Sequence, residues 1–334
     1  MIEVDRMAIT YFHRNQACGF SILKVFRVIE REIAKQEDIE EKFVPSPFSM
    51  PWHLVQNSVF TFRNRNKKGV NHISGHIHDS ILGLIGCKTI LTIHDLVFID
   101  NTHNPVKRLY KWLFWLYIPL KLADIVTCIS TETQKKILCH VKTDKLRVIY
   151  NPIDPAFVYT PQDFNTQKPT ILHVGTSWNK NLERTIKALH GIPCHLRIIG
   201  KLSDKVKKLL KEYQIDYSAA SNLTDEEIRQ EYIKCDIVNF PSIYEGFGMP
   251  VIEGQQTGRI VVTSYIEPLI EVSGNAVEYV DPYSLESIRQ AYLNIIHNPM
   301  RRNRIIKDGL KNVERFDLKN IAEQYRVLYR QLEL

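Results

Sequence analysis

Residues 240–258, FPSIYEGFGMPVIEGQQTG, decide how the rest of the chain is read. Just upstream, residues 235–240 (CDIVNF) form a short apolar run that reads as a buried strand. Pro241 and Ser242 end it, and Gly246 and Gly248 let the backbone approach a ligand closely. Pro250 suits the first turn of a helix, where its missing N–H costs nothing. The order is therefore strand, glycine-rich turn, helix, with the helix N-terminus pointing back over the turn. Such an end favours anions through its free N–H groups and its dipole. Glu245 and Glu253 bracket the turn. A carboxylate is a poor phosphate ligand but a good two-oxygen acceptor for neighbouring hydroxyls on a ribose or a sugar. An anion cradle flanked by diol acceptors is what a sugar nucleotide requires.

The stretch resembles the E-x7-E signature of the retaining GT-B glycosyltransferases of family 4, with Glu245 and Glu253 as its two glutamates. The spacing gains its meaning from the residues that embed it. By this resemblance, Glu253 holds the ribose hydroxyls, Glu245 the sugar hydroxyls, and the backbone of Gly246, Phe247, Gly248 and Met249 the diphosphate.

With 334 residues the chain is long enough for two α/β domains. The start, MIEVDRMAITYF, lacks the basic, apolar and small-residue succession of a signal peptide. The longest apolar run, residues 112–120, is hemmed in by Lys111 and Lys121 and is too short for a membrane span. Six cysteines without a C-x-x-C pair read as reduced thiols of a cytoplasmic protein. The net charge of +7 is unevenly shared: 21 Lys and Arg face 15 Asp and Glu in residues 1–160, against 23 and 22 in the remainder. A basic first half fits an anionic acceptor or peripheral contact with the inner face of the cell membrane. The charge is too scattered for nucleic acid.

In chain order, residues 7–12 (MAITYF) read as the first strand and HRNQACGFS as a loop. Gly19 and Ser21 then open onto a periodic helix, SILKVFRVIEREIAKQ, as a candidate acceptor or phosphate loop. KFVPSPFSMPWH reads as irregular, and the helical stretch after it ends in RNRNKK, residues 63–68. That basic end is read as solvated, with contact to anionic lipid or acceptor as the alternative. VNHISGHIHDS and KTILTIHDLVF give strand, turn, strand. His72, His76, His78 and His94 crowd there, but their spacing matches no metal-ligand pattern, and no metal is expected. His94 and Asp95 stand at the C-terminal end of an apolar strand, where open α/β sheets bind ligands. IHDLVF is similar to the family's H-D block, whose histidine reaches the donor sugar near its reacting carbon. The resemblance gives that role to His94. HISGHIHD resembles a family segment H-I-T-G-D-V-H-Y and departs from it at His76 and Asp79.

NPVKRLYKWLFWLYIPLKLAD reads as a buried helix kinked at Pro119, the alternative being membrane docking through Trp112 and Trp115. Residues 151–169 carry four prolines and no periodicity, which marks a linker. Beyond it, TILHVGTSWNKNLERTIKAL gives strand, turn and helix, with Gly175 and Thr176 ending the strand. Lys180 sits in the turn, where a flexible ammonium acts as a point charge on a phosphate. The resemblance places Lys180 on the donor diphosphate. Many relatives carry Arg just before this Lys; here the residue is Asn179.

Strand–helix alternation on both sides of a linker predicts an α/β chain of two doubly wound domains. The resemblance makes this a GT-B fold of two Rossmann-like domains facing an interdomain cleft. The expected divisions are an acceptor domain over 1–155, a linker over 156–169 and a nucleotide-sugar domain over 170–315. A final helix over 316–334 packs back on the first domain. The expected activity is retaining, metal-independent transfer from a nucleoside diphosphate sugar to a glycan or polyprenyl-linked acceptor. His94 and Glu245 would act at the reacting centre, with Gly175, Thr176 and Lys180 on the donor and no cofactor. The sequence leaves open an epimerase of the same architecture, a non-catalytic nucleotide-sugar binder, and a hydrolase using Glu245 and Glu253 as acid and base.

Overall fold

The structure, a computed structural model, describes residues 6–17, 21–48 and 50–333. The chain divides into two compact units, residues 1–152 with 316–334, and residues 153–315.

The first unit runs β1 (Ala8–His13), α1 (Ser21–Ile33), β2 (Asp38–Phe43), α2 (Pro51–Asn64), β3 (Val70–Ile73) and a 3-10 segment (His78–Leu84). It continues with β4 (Thr89–Ile93), α3 (Val97–Asp100), α4 (Pro105–Lys111), a π-helical segment (Trp112–Tyr117), α5 (Ile118–Leu122), β5 (Ile125–Cys128), α6 (Thr131–His140) and β6 (Leu146–Val148). All strands pair in parallel in the order β2-β1-β3-β4-β5-β6. β3 and β4 are fully buried, as expected of strands covered on both faces. β2 is absent from the sequence-based expectation. Its residues, DIEEKF, contain no apolar run, because it is a half-exposed edge strand that joins by backbone pairing to β1.

The segment from α4 to α5 is continuous, its middle wound as a π-helix. Pro119 lies in the first turn of α5, where an absent N–H is tolerated. The burial of Trp115 accords with the buried-helix reading, and the packing disfavours the alternative of docking through Trp112 and Trp115. Trp115 is only 9% exposed, packed between His78 and Phe98, and Trp112 stacks on Tyr117 at 5.0 Å.

The second unit runs β7 (Thr170–Val174), a 3-10 turn (Trp178–Lys180), α7 (Leu182–Leu189), β8 (His195–Ile199), α8 (Asp204–Glu212), β9 (Tyr217–Ala220), α9 (Asp225–Lys234) and β10 (Ile237–Phe240). It then runs α10 (Met249–Thr257), β11 (Ile260–Ser264), α11 (Leu269–Ser273), β12 (Glu278–Val280), α12 (Leu285–His297) and α13 (Pro299–Val313). The parallel order is β12-β11-β10-β7-β8-β9. α9 begins with a full capping box between Thr224 and Glu227, as its sequence predicts. The apolar core lies between this sheet and α7, α8, α12 and α13.

The last helix, α14 (Leu318–Glu333), packs on α1 in the first unit. Its buried Tyr329 hydroxyl meets the Tyr11 hydroxyl at 2.6 Å and His72 Nδ1 at 2.7 Å. His72 Nε2 meets Thr92 Oγ1 at 2.8 Å, so both ring nitrogens of this buried histidine are occupied.

Both sheets reverse their strand order once, at β1/β3 in the first unit and at β7/β10 in the second. In open α/β sheets, ligands bind beyond the strand ends at such a switch point.

Candidate active site

In the second unit, the loops after β7 and β10 meet at the switch point. β7 ends in Gly175, whose φ of +90° turns the chain, and Thr176, whose hydroxyl donates to the Lys201 carbonyl at 3.0 Å. The 3-10 turn carries Lys180 to Glu245, Nζ to Oε1 2.6 Å, with both side chains largely buried. The ammonium also lies 4.4 Å from the centre of the Phe240 ring, a cation–π contact at the end of β10. Asn179 donates to the Tyr244 carbonyl at 3.0 Å and to Glu245 Oε1 at 3.3 Å, and its own carbonyl accepts from Ile243 N–H at 2.9 Å. Asn181, in the left-handed conformation, donates to the carbonyls of Pro241 and Pro282. These three asparagine and lysine positions tie the two loops into one frame.

Gly246, Phe247 and Gly248 lead directly into α10, which starts at Met249 with Pro250 in its first turn. Phe247 is buried. Gly248 is the N-cap, with φ +112° and no side-chain cap for the first N–H groups. A Cβ there would stand 2.5 Å from Leu269 Cδ2, so both the backbone and the packing require glycine. Glu253, one turn on, accepts a hydrogen bond from the Tyr232 hydroxyl at 2.5 Å. Tyr232 is fully buried in α9 and orients the carboxylate.

In the first unit, His94 follows β4 and is buried. Its Nε2 lies 2.8 Å from the Ser74 carbonyl. A carbonyl only accepts, so Nε2 carries the proton and the lone pair is on Nδ1. Gly75 is demanded by this histidine, since a Cβ on it would lie 2.4 Å from His94 Cδ2. Burial, helped by His76 nearby, pulls the His94 pKa down to about 4, so the ring is neutral near pH 7. For Asp95, burial acts to raise the pKa, but the His76 contact outweighs it and holds the carboxyl near 2. His76 Nε2 and Asp95 Oδ2 are 3.5 Å apart. Ser21 is the exposed first residue of α1. Gly19 lies outside the described residues.

The structure thus brings Gly175, Lys180, Glu245, residues 246–249 and Glu253 together in the second unit, while His94 and Ser21 belong to the first. Sequence reasoning missed Tyr232, Asn181 and the positioning part of Asn179. Lone Tyr and Asn residues in helix and turn sequences carry no spacing signal, although Gly75 beside the histidines was a readable hint of close approach. The four crowded histidines do not converge on a metal. Among the described residues, one ligand-type group has its ligating atoms within 4.8 Å of one another: His13, Glu30 and Glu41. Within and beside it, His13 Nε2 lies 3.0 Å from Glu30 Oε1, and Arg27 Nε lies 4.0 Å from Glu41 Oε2.

Two parallel six-stranded sheets with helices, each reversing strand order once, define the GT-B class of α/β proteins. The chain belongs to the group 1 glycosyltransferases of family 4. Residues 160–312 match the family described as glycosyl transferases group 1, and residues 29–157 match Glycosyltransferase Family 4. The O-antigen chain mannosyltransferase RfbU of Salmonella typhimurium is 26% identical over 245 residues, covering 70% of this chain and 67% of that protein. The sucrose-phosphate synthase of Thermosynechococcus elongatus has the same fold, with a TM-score of 0.81 at 18% identity over 98% of this chain and 99% of that one. HepE of Anabaena, solved in complex with UDP and glucose, has a TM-score of 0.79 at 14% identity over 98% and 100% of the two chains.

Four buried imidazoles are held below their ordinary pKa chiefly by burial: His72 well below, His78 and His173 at about 3, and His94 at about 4. The unfolded chain takes up these protons first, so stability falls as pH drops from about 6.5 toward 4. Burial pushes Asp79 up to about 7, and it acts in the opposite sense across much of this window. The histidines outnumber it. In urea denaturations at stepped pH, His94→Gln should flatten the slope of unfolding free energy between pH 6.5 and 4 by up to about 1.4 kcal/mol per pH unit, one proton's worth. An unchanged slope would show that His94 is not held neutral by the fold.

Proposed function

We propose that the chain is a retaining, metal-independent hexosyltransferase. It moves a sugar from a nucleoside diphosphate sugar to a glycan or polyprenyl-linked acceptor in cell-surface polysaccharide synthesis, at the cytoplasmic face of the membrane. The observation that carries this reading is the Lys180–Glu245 pair beside the uncapped N-terminus of α10, at the switch point of the second sheet. Donor diphosphate sits on the amides of residues 246–249 and takes Lys180 as its counter-ion. Glu245, released from the lysine, accepts hydrogen bonds from the sugar hydroxyls. Glu253, oriented by Tyr232, accepts the ribose hydroxyls. The named relative acts in O-antigen chain synthesis and the structural neighbour binds UDP and glucose, which supports the substrate class.

The barrier the protein lowers is charge building on the departing phosphate, and preorganised dipoles with one cation oppose it. The sequence has no D-x-D pair to hold a bridging divalent ion. Retention follows if the acceptor attacks on the face the diphosphate leaves, with a phosphate oxygen taking the acceptor proton. His94 accepts a hydrogen bond through Nδ1 from a hydroxyl near the reacting carbon.

Calorimetric titrations with nucleoside diphosphates test the division of labour. Lys180→Ala and Glu253→Ala should each weaken binding about ten-fold or more, the worth of one charge-assisted hydrogen bond. His94→Ala should leave that affinity within about two-fold and lower turnover. Equal affinity for wild type and Glu253→Ala would remove the ribose assignment.

Peripheral membrane contact has a candidate surface in α2. Trp52, Val55, Val59 and Phe62 form one exposed stripe, with Trp52 76% and Phe62 57% exposed, while Leu54, Asn57 and Thr61 face inward. Arg63, Arg65, Lys67 and Lys68 follow at the C-terminal end. An apolar stripe ending in basic residues suits an anionic lipid surface, each Lys or Arg there contributing about 1 kcal/mol. Co-sedimentation with anionic vesicles should exceed that with neutral ones and be largely lost in Trp52→Ser/Phe62→Ser. Equal retention of the double variant would exclude α2 as the contact.

A further inference from the structure

His13, Glu30 and Glu41 come from three separate elements, β1, α1 and β2, and the fold brings them together. β1 and β2 pair with Tyr11 beside Glu41, so Glu41 shares a sheet face with Tyr11 and, two residues on, His13. α1 packs on that face through Phe26 and sets Glu30 against His13. One ligating atom from each of the three lies within 4.8 Å of the other two. His13 and Glu30 are 1% and 3% exposed, whereas the Glu41 side chain is 38% exposed, so the group meets solvent on the Glu41 side.

The hydrogen bonds around His13 fix which nitrogen faces the carboxylates. A carbonyl only accepts, so the Ser74 hydroxyl donates to the Phe12 carbonyl, at 3.2 Å. Its oxygen then accepts from His13 Nδ1, 2.8 Å away. In the neutral ring Nε2 keeps its lone pair, and it faces Glu30 Oε1 at 3.0 Å. Two acceptors this close require a cation between them. A proton would join this pair and nothing more. Glu30 Oε2 is buried without a hydrogen-bond partner among the described residues. Glu41 meets Arg27 at 4.0 Å, a half-exposed pair of little worth. A divalent ion would serve all three side chains, and buried charges are characteristically paired or bound to metals.

We propose that His13, Glu30 and Glu41 hold one Zn2+ ion, with water completing its shell on the Glu41 side. Bonds of about 2.0–2.2 Å to imidazole and carboxylate set tetrahedral ligand atoms roughly 3.4 Å apart, so small side-chain movements close the set onto an ion. Imidazole with two carboxylates suits zinc better than magnesium or calcium, which favour all-oxygen shells. Two carboxylates neutralise the ion, and the imidazole adds no charge. The Nδ1 bond to Ser74 is the outer support that metal-bound histidines characteristically have, and the rings of Phe26 and Phe43 shield His13 on its flanks. The ion is a clamp. It ties β2, an edge strand whose sequence DIEEKF has no apolar run, to β1 and α1. It belongs to the first unit, so Lys180 remains the counter-ion proposed for the diphosphate, and the inference does not depend on that reading. Three ligands on three elements leave no spacing pattern in the sequence.

The test uses the full chain, stripped of metal by a chelator and then freed of the chelator. Zn2+ titrated in competition with a chromophoric chelator should bind at one equivalent with micromolar or tighter affinity and raise the melting temperature. Millimolar Mg2+ should do neither. Glu30→Gln, which keeps the shape and removes the charge, should weaken Zn2+ binding about ten-fold or more and shrink the rise in melting temperature. Glu41→Gln, at an exposed position, carries the same expectation should the Glu30 variant disturb folding. Full Zn2+ affinity in both variants would put the ion elsewhere, and absence of one-equivalent binding would leave His13 and Glu30 sharing a proton. Either result overturns the site, and Mg2+ binding as tight as that of Zn2+ would overturn the choice of metal.

Discussion

The ion pair between Lys180 and Glu245 is the contact on which the second unit's ligand end depends. It spans the loops after β7 and β10, the two strands that part at the switch point, and rests on the Phe240 ring. Both side chains are mostly out of water, so each is costly without the other. Under the proposed function, a sugar diphosphate offers the lysine an anion and the glutamate hydroxyl donors at the same time.

The first unit uses the same principle with different atoms. Ser74 follows β3 and accepts at its carbonyl from His94 Nε2, while its hydroxyl meets His13 Nδ1 at 2.8 Å. Gly75 keeps room for the histidine ring. Burial keeps His94 neutral, so it can accept a hydrogen bond but adds no charge to a region already holding Arg14. In both units a tyrosine on a helix orients a polar side chain: Tyr232 of α9 does this for Glu253 in α10, and Tyr329 of α14 for His72 in β3.

Much of this architecture was legible in the sequence because its signals are local. Buried parallel strands leave apolar runs such as IVNF and TILTI, and helix starts are marked by Pro250 or the Thr224–Glu227 box. β2 was not legible, since an edge strand of sequence DIEEKF owes its conformation to β1 rather than to its own residues. The aromatic stretch around Trp115 was read with its docking alternative open, and a helical wheel cannot say which neighbours cover it. Within the site, glycines and charged residues announced themselves through turn chemistry. Tyr232 and Asn181 did not, because they act across distances in sequence that no spacing rule spans. Asn179 was noted as a missing charge, although its amide holds Glu245 and Tyr244 in place.

The most direct check of the central claim is a crystal structure with a nucleoside diphosphate sugar bound in the presence of a chelator. The account predicts Lys180 Nζ withdrawn from Glu245 and within hydrogen-bond distance of a phosphate oxygen, with the diphosphate over the amides of residues 246–249. A nucleotide bound elsewhere, with the Lys180–Glu245 pair intact, would contradict it.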